Sequence, residues 1–237
     1  MTLYVRAFGN PGARPFVFWH ALGPDASSAY FEPVGRVLAD RGYDVYGIDG
    51  PGFGDSPLLE PDAYGLDALA GLLWATVDGL GLRRPVLAGH SWGGAVAVTA
   101  AAQRPDDVSA VVLFDSGHID YRELDDVDAD KPLDAWLAEV RARPDPRDAE
   151  GRAYAMRGMT DPVSPAWLVL AQHRIPTLLL LATEEPHVAV NRAHVGRFEA
   201  AVPHAEVRWV EGATHGLVDD VGAPLGDQLA DWLPPDS

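Results

Sequence analysis

The 237-residue chain contains no cysteine. This absence excludes disulfide bonds, thiolate metal sites and cysteine nucleophiles. The sequence also lacks an apolar run long enough to cross a membrane, and its first residues lack the charged-then-apolar pattern of a secretory signal. Internal repeats and low-complexity tracts are absent as well. We therefore predict a cytoplasmic protein.

Basic residues are scarce: 18 Lys and Arg stand against 35 Asp and Glu, which gives a formal net charge of −17. Such a charge repels phosphates, so it argues against nucleic acid as a partner, and it disfavours anionic membrane surfaces and strongly anionic substrates. A hydrophobic content of 47% is typical of a globular chain with a sizeable core. We predict a small-molecule substrate, no nucleic-acid or membrane partner, and leave a homo-oligomer open.

Short apolar runs alternate with segments of helical periodicity, which is typical of an α/β fold with a mostly parallel sheet and helices on both faces. The predicted strands are residues 3–8, 16–19, 43–48, 85–88, 108–114, 177–182 and 207–210. The predicted helices are residues 31–41, 66–80, 93–103, 190–201 and 225–233.

Residues 117–174 depart from this alternation. They are rich in Asp, Arg and Pro, and their apolar residues recur at helical spacing. Structureless loops of this length are uncommon, so we predict a small helical lid inserted into a core made of residues 1–116 and 175–237. The alternative is an acidic surface excursion without a role.

Gly89-His90-Ser91-Trp92-Gly93 follows an apolar strand and precedes an alanine-rich helix. A serine in this strand–turn–helix setting lies in a tight, strained turn that exposes its hydroxyl above the sheet. Glycine suits positions 89 and 93 because a Cβ there would collide with the neighbouring strand and helix. Ser91 is therefore a candidate nucleophile.

A serine hydroxyl needs an adjacent base, and the base needs a carboxylate to orient it. His215 follows the last predicted strand and so lies at the same sheet edge as Ser91. Glu185 and Asp115 each follow a strand, and we favour Glu185 as the acid while keeping Asp115 as the alternative. The remaining candidates, His173, His187, His194 and His204, are predicted to be surface residues, and no histidine spacing indicates a metal site.

Four segments together make the chain resemble the α/β-hydrolase superfamily, in particular its small lid-bearing esterases, lactonases and haloperoxidase-like enzymes. They are the nucleophile turn 89–94, the His-Ala-Leu-Gly segment 20–23, the Asp-Gly-Pro-Gly-Phe-Gly-Asp-Ser loop 49–56 and the Gly-Ala-Thr-His loop 212–215. The resemblance implies a sheet of about seven strands, and an oxyanion hole formed by the N–H groups of Leu22 and Trp92. Position 21 departs from the family's usual glycine, and Glu185 stands where an aspartate is usual.

The resemblance implies a serine hydrolase that cleaves a carboxylic ester or lactone through an acyl-enzyme, without a cofactor. Alternatives are a carbon–carbon bond hydrolase or perhydrolase on the same triad, or a ligand-binding protein of this fold with vestigial turnover. His20, Trp136, Tyr154 and Trp167 are candidates for the substrate pocket, although the lid aromatics equally suit packing within the lid.

Overall fold

The structure is a computed structural model that describes residues 2–9, 11–23, 26–124, 128, 130–142 and 148–233. Seven strands form one sheet. In chain order they are β1 (Val5–Ala7), β2 (Arg14–Trp19), β3 (Tyr43–Ile48), β4 (Val86–His90), β5 (Ala110–Phe114), β6 (Thr177–Ala182) and β7 (Glu206–Val210).

The strands lie side by side in the order β1-β3-β2-β4-β5-β6-β7. β1 runs antiparallel to β3, and the other neighbouring pairs are parallel. This arrangement confirms the predicted α/β fold class, and each of the seven predicted strands is present with ends shifted by at most two residues. Because β4, β5 and β6 are adjacent and parallel, the residues that follow them meet at one edge of the sheet.

Helices cover both faces of the sheet. They are α1 (Glu32–Asp40), α2 (Leu66–Gly79), α3 (Trp92–Gln103), α4 (Leu133–Arg141), α5 (Ala149–Gly158), α6 (Ser164–His173), α7 (His187–Ala201), α8 (Leu217–Val221) and α9 (Ala223–Trp232). Within the described ranges, none of these helices is long and apolar enough to cross a membrane.

The two faces of β2 show how the layers are built. Val17 and Trp19 lie in one buried cluster with side chains of α2, α3, α6 and α7. Phe16 and Phe18 lie in a second cluster on the opposite face, with side chains of α1, α8 and α9. Successive side chains of a strand point to opposite faces, so a continuously apolar strand fits a sheet that is covered on both sides.

Residues 117–174 contain α4, α5 and α6, and no strand occurs in the part of this segment that the structure describes. α4 and α5 pack on each other around Trp136 and Val140, apart from the main core. α6 instead buries Trp167 and Leu170 in the cluster that covers the sheet. The helical character of the segment thus agrees with its apolar spacing, and its role as a lid stays a prediction.

Candidate active site

Ser91 lies in the turn between β4 and α3, with backbone angles of φ 52° and ψ −119°. A Cβ at Gly89 would come within 2.0 Å of the Gly93 carbonyl oxygen, and a Cβ at Gly93 within 2.2 Å of the Trp19 carbonyl oxygen. These contacts confirm that the turn needs glycine on both sides of the serine. A positive φ strains the backbone of a serine. Such strain is found mainly at functional sites, where the surrounding structure holds the residue in place.

His215 lies in the loop between β7 and α8, at the same sheet edge as Ser91. Its Nδ1 atom is 2.6 Å from Oδ2 of Asp115, which directly follows β5. The side chain of Asp115 is only 1% exposed, whereas that of His215 is 30% exposed. Because the carboxylate accepts from Nδ1–H, the lone pair of His215 is on Nε2 and is available as a base.

Three donors hold the Asp115 carboxylate. Besides His215, the Ala182 N–H donates to Oδ1 at 2.9 Å and the Asn191 side-chain amide donates to Oδ1 at 2.6 Å. Burial by itself raises the pKa of Asp115, but the hydrogen bonds from His215, Ala182 and Asn191 outweigh it and leave the pKa below its usual value. The carboxylate is therefore ionised when it contacts the imidazole.

The preference for Glu185 as the partner of His215 is wrong. Glu184 and Glu185 are both exposed, and the carboxylate bonded to His215 is that of Asp115. The physical reason is the direction of the chain after β6. The chain turns outward through these two glutamates and then starts α7, whose Asn191, rather than a glutamate, is buried next to Asp115. Asp115, on the neighbouring strand, fills the position next to His215.

His187, the first residue of α7, stacks on His215 with ring centroids 4.0 Å apart and planes 8° from parallel. Burial, and then the nearby His215, lower the pKa of His187. Ligand atoms of Asp115, His187 and His215 lie within 4.8 Å of one another, a grouping that the sequence spacing did not indicate. The lone pair of an imidazole lies in the plane of its ring, and the two rings are nearly parallel. The two histidines could therefore bind one metal ion only if one of the rings rotated.

The segment after β2 is held by His20, which is fully buried. The Gly50 N–H donates to His20 Nε2 at 2.8 Å, so the ring proton is on Nδ1, which lies 2.7 Å from the Ala21 carbonyl oxygen. Burial lowers the pKa of His20 to about 4, which keeps the ring neutral. In a planar trans peptide the carbonyl and the next N–H point in opposite directions, so this bond also fixes the Leu22 N–H.

Ser91, Asp115 and His215 line one cleft of about 540 Å³. Its other walls come from the segment after β5 and from α7, and they include the apolar side chains of Ile119, Leu124, Pro186, Ala189, Val190 and Ala193. A cleft of this size suits a small organic ligand.

None of the four predicted pocket residues lines this cleft. His20 is buried directly after β2, where its ring bonds Gly50 and Ala21, and Trp136 packs between α4 and α5. Tyr154 packs edge-on against Tyr64, with ring centroids 5.3 Å apart, and Trp167 donates from Nε1 to the Gly117 carbonyl oxygen at 2.6 Å. These aromatic side chains are used for packing, which corrects their placement in the pocket.

Two histidines that we predicted to be surface residues, His187 and His194, line the cleft instead. With Asn191 they recur at positions i, i+4 and i+7, which is one face of a helix. This spacing was a usable signal, but the predicted helix began at residue 190, whereas α7 begins at His187. Because the predicted helix lacks the first turn of α7, it does not place His187 on the same face as Asn191 and His194.

The family described as the alpha/beta hydrolase fold matches residues 14–157 of the chain. The chain belongs to this family. Among curated relatives of the chain, the uncharacterized hydrolase YugF of Bacillus subtilis (strain 168) is 34% identical over 120 residues, which make up 50% of this chain and 43% of YugF. The chain spans 36% to 56% of the length of the first curated relatives that it matches.

Solved structures similar to this chain include a carboxylesterase of Nitrososphaera gargenis, with a TM-score of 0.81, 17% identity, and coverage of 97% of this chain and 93% of the other. The enol-lactonase of Burkholderia xenovorans LB400 has a TM-score of 0.74 and 21% identity, with coverage of 98% and 96%. At these identities the likeness shows the fold alone.

Proposed function

We propose that this protein is a hydrolase that cleaves a carboxylic ester or lactone through an acyl-enzyme formed on Ser91. The observation that carries the proposal is the joint placement of Ser91, in its strained turn, and the His215–Asp115 pair in one cleft. Nucleophile, base and orienting acid also follow the chain order Ser, acid, His that is typical of this fold. The esterase and enol-lactonase among its structural neighbours are consistent with this chemistry.

In the acylation step, Ser91 Oγ attacks the carbonyl carbon while His215 Nε2 takes the hydroxyl proton. The tetrahedral intermediate collapses, the carbon–oxygen bond to the leaving group breaks, and His215 returns the proton to the leaving alkoxide. In a lactone, the resulting alcohol stays attached to the acyl group. Water then attacks the acyl-enzyme with His215 as base and releases the acid and free Ser91.

The negative charge on the intermediate needs fixed donors, and the N–H groups of Leu22 and Trp92 are our candidates. Trp92 is the first residue of α3, where N–H groups are free of intrahelical partners and the helix dipole favours an anion. Within the described part of the chain, neither N–H donates a hydrogen bond to a protein acceptor. The His20 contact to the Ala21 carbonyl supports a preset direction for the Leu22 N–H.

A panel of p-nitrophenyl esters from acetate to octanoate, with aliphatic lactones and one aromatic ester, tests the proposal. We expect multiple turnovers on at least one ester or lactone, and covalent labelling of Ser91 by a fluorophosphonate. A single slow burst would favour a ligand-binding protein. Turnover confined to a vinylogous β-diketone, or peracid formation from hydrogen peroxide and acetate, would favour the alternative reactions.

The walls of the cleft support an apolar acyl group as the bound part of the substrate. Ile119 and Leu124 come from the start of segment 117–174, and Val190 comes from α7 on the other side. The contribution of Ile119 and Leu124 to the cleft supports the predicted role of segment 117–174 as a lid. We therefore propose that residues 117–124 are the part of the lid that contacts the substrate, whereas α6 fixes the segment to the core.

Enlarging Val190 is expected to shorten the preferred acyl chain. In Val190→Phe the ring takes up cleft volume, so the ratio of kcat/KM for hexanoate to that for acetate should fall by at least about tenfold, the scale of one or two poorly fitting methylenes. The measurement is the chain-length series on p-nitrophenyl esters. An unchanged ratio would contradict the assignment of this cleft as the acyl pocket.

Trp167→Ala is the matched control, because Trp167 is large, buried and outside the cleft. Removing a buried tryptophan costs about 3–5 kcal/mol of stability, so the melting temperature of the variant should fall by about 6–20 °C. Its order of preference for acyl chain lengths should stay that of the wild type. A changed preference would mean that Trp167 affects the pocket, either directly or through its bond to the Gly117 carbonyl.

A further inference from the structure

The His90 side chain connects the loop of His215, which lines the cleft, through Tyr30 to the segment that follows β2. His90 precedes Ser91 but points away from it, and it is only 4% exposed. Its Nδ1 is 2.9 Å from the hydroxyl of Tyr30, in the 3₁₀ turn Ser28–Phe31, and its Nε2 is 2.6 Å from the main-chain carbonyl oxygen of His215. The same Tyr30 hydroxyl lies 2.8 Å from the Ala21 N–H.

The direction of each hydrogen bond follows from the atoms present. A carbonyl oxygen only accepts, so His90 Nε2 carries a proton and donates to His215. Burial, and then the neighbouring His215, lower the pKa of His90 to about 3, so the ring is neutral and Nδ1 accepts. The Tyr30 hydroxyl, whose pKa burial raises, therefore donates to His90 and accepts from the Ala21 N–H.

This chain of hydrogen bonds ends at the segment of the proposed oxyanion donor Leu22 on one side and at the proposed base His215 on the other. Ala21 directly precedes Leu22, and its carbonyl is already held by His20, so both polar groups of this residue are bonded. At the other end, the bond is to the backbone of His215 itself rather than to its ring. The ring is left free to bond Asp115 while its main chain is fixed.

We infer that Tyr30 and His90 are positioning residues that hold the loop of Leu22 and the loop of His215 at a set separation. The inference rests on the proposed function, because it assigns the oxyanion donor to one loop and the base to the other. Neither side chain lines the cleft, so both act through the backbone they hold. The charged or titratable groups around them are Asp115, Asp219, His20 and His215.

Tyr30→Phe removes one hydroxyl and keeps the ring. We expect kcat, normalised to the sites titrated by a fluorophosphonate, to fall between about tenfold and a hundredfold, because small misplacements of catalytic groups are that costly. KM should change by less than about threefold. Tyr46→Phe is the control: its hydroxyl bonds Asp44, away from the cleft, and kcat should stay within about twofold of wild type. A lower melting temperature with unchanged kcat per titrated site would overturn the inference.

A double-mutant cycle tests whether the two residues act as one unit. In His90→Gln, the side-chain amide keeps a donor near the Nε2 position but loses the acceptor for Tyr30. Adding Tyr30→Phe to this variant should cost less than about twofold more in kcat, because the connection is already broken. Multiplicative losses would mean that the two bonds act independently, and would contradict a joint role.

Nitrogen-15 NMR of the histidine rings tests the connection without a substrate. In the wild type, His90 should be the neutral Nε2–H tautomer down to about pH 4, and Tyr30→Phe should shift the ring signals of His215 as well as those of His90. An Nδ1–H tautomer, or a His215 spectrum unaffected by Tyr30→Phe, would overturn the inference. If these signals behave as expected but no ester or lactone is turned over, it is the proposed function that fails.

Discussion

Asp115→Asn is expected to lower kcat by about ten-thousandfold, the loss that follows removal of the acid in the best-studied serine triad. The amide can donate to His215 Nδ1, which would place the ring proton on Nε2 and remove the lone pair that takes the Ser91 proton. It also removes the negative charge that stabilises the imidazolium. The measurement is steady-state hydrolysis of the best ester in the panel.

Asparagine is the matched substitution at this position for a backbone reason. Asp115 has φ 48°, in the left-handed region, which asparagine tolerates better than other non-glycine residues. Its carbonyl oxygen can still accept from the Ala182 N–H and the Asn191 amide. The variant therefore tests charge and tautomer with little added strain, and circular dichroism should match that of the wild type.

Glu185→Gln and Glu184→Gln are the control variants. Both side chains are exposed, so their charges are screened by water and we expect kcat within about twofold of wild type. A severe loss in Glu185→Gln together with an active Asp115→Asn would contradict the Ser91–His215–Asp115 assignment.

Ser91→Ala and His215→Ala are each expected to lower ester hydrolysis by at least about a thousandfold. Ser91→Ala keeps the Cβ, and so the same backbone strain, while removing only the oxygen that is proposed to form the acyl-enzyme. His215→Ala removes the proposed base for the Ser91 hydroxyl. Because the two residues share one proton path, the double variant should be scarcely slower than either single variant.

Fluorophosphonate labelling separates chemistry from folding in these variants. The wild type should be labelled at Ser91, Ser91→Ala should not be labelled, and His215→Ala should be labelled far more slowly. Both variants should keep the wild-type thermal transition within a few degrees. Labelling of a different serine, or losses that multiply in the double variant, would contradict the proposed pair.

Much of the fold was accessible from local sequence patterns. Runs such as 177–182 are continuously apolar because a strand covered on both faces buries every side chain, and β6 has these limits. The strand–turn–helix setting of Ser91 was also accessible. Its two glycines are required because a Cβ at either position would collide with atoms of the turn or of the neighbouring strand. The position of His215 followed from the rule that parallel strands present their carboxyl ends at one edge.

The aromatic residues of segment 117–174 show where such patterns stop. Helical spacing predicted that Trp136 and Trp167 have a buried side, but not which neighbour covers it. The structure buries Trp136 between α4 and α5 and Trp167 against the core, with its ring next to Phe198. Burial is set by the whole packing arrangement, so an aromatic on a helix face suits a core and a ligand pocket equally well in sequence.

The sequence by itself determined the α/β architecture, the turn that presents Ser91 and the sheet edge at which His215 lies, because each follows from periodicity, from the sterics of a strand–turn–helix motif or from the common edge of parallel strands. Only the tertiary structure decided between Asp115 and Glu185. Both follow neighbouring strands, and the choice depends on which side chain turns inward after its strand ends. It likewise decided that His187 stacks on His215, because such contacts join residues whose separation in space is set by strand order and packing rather than by the chain.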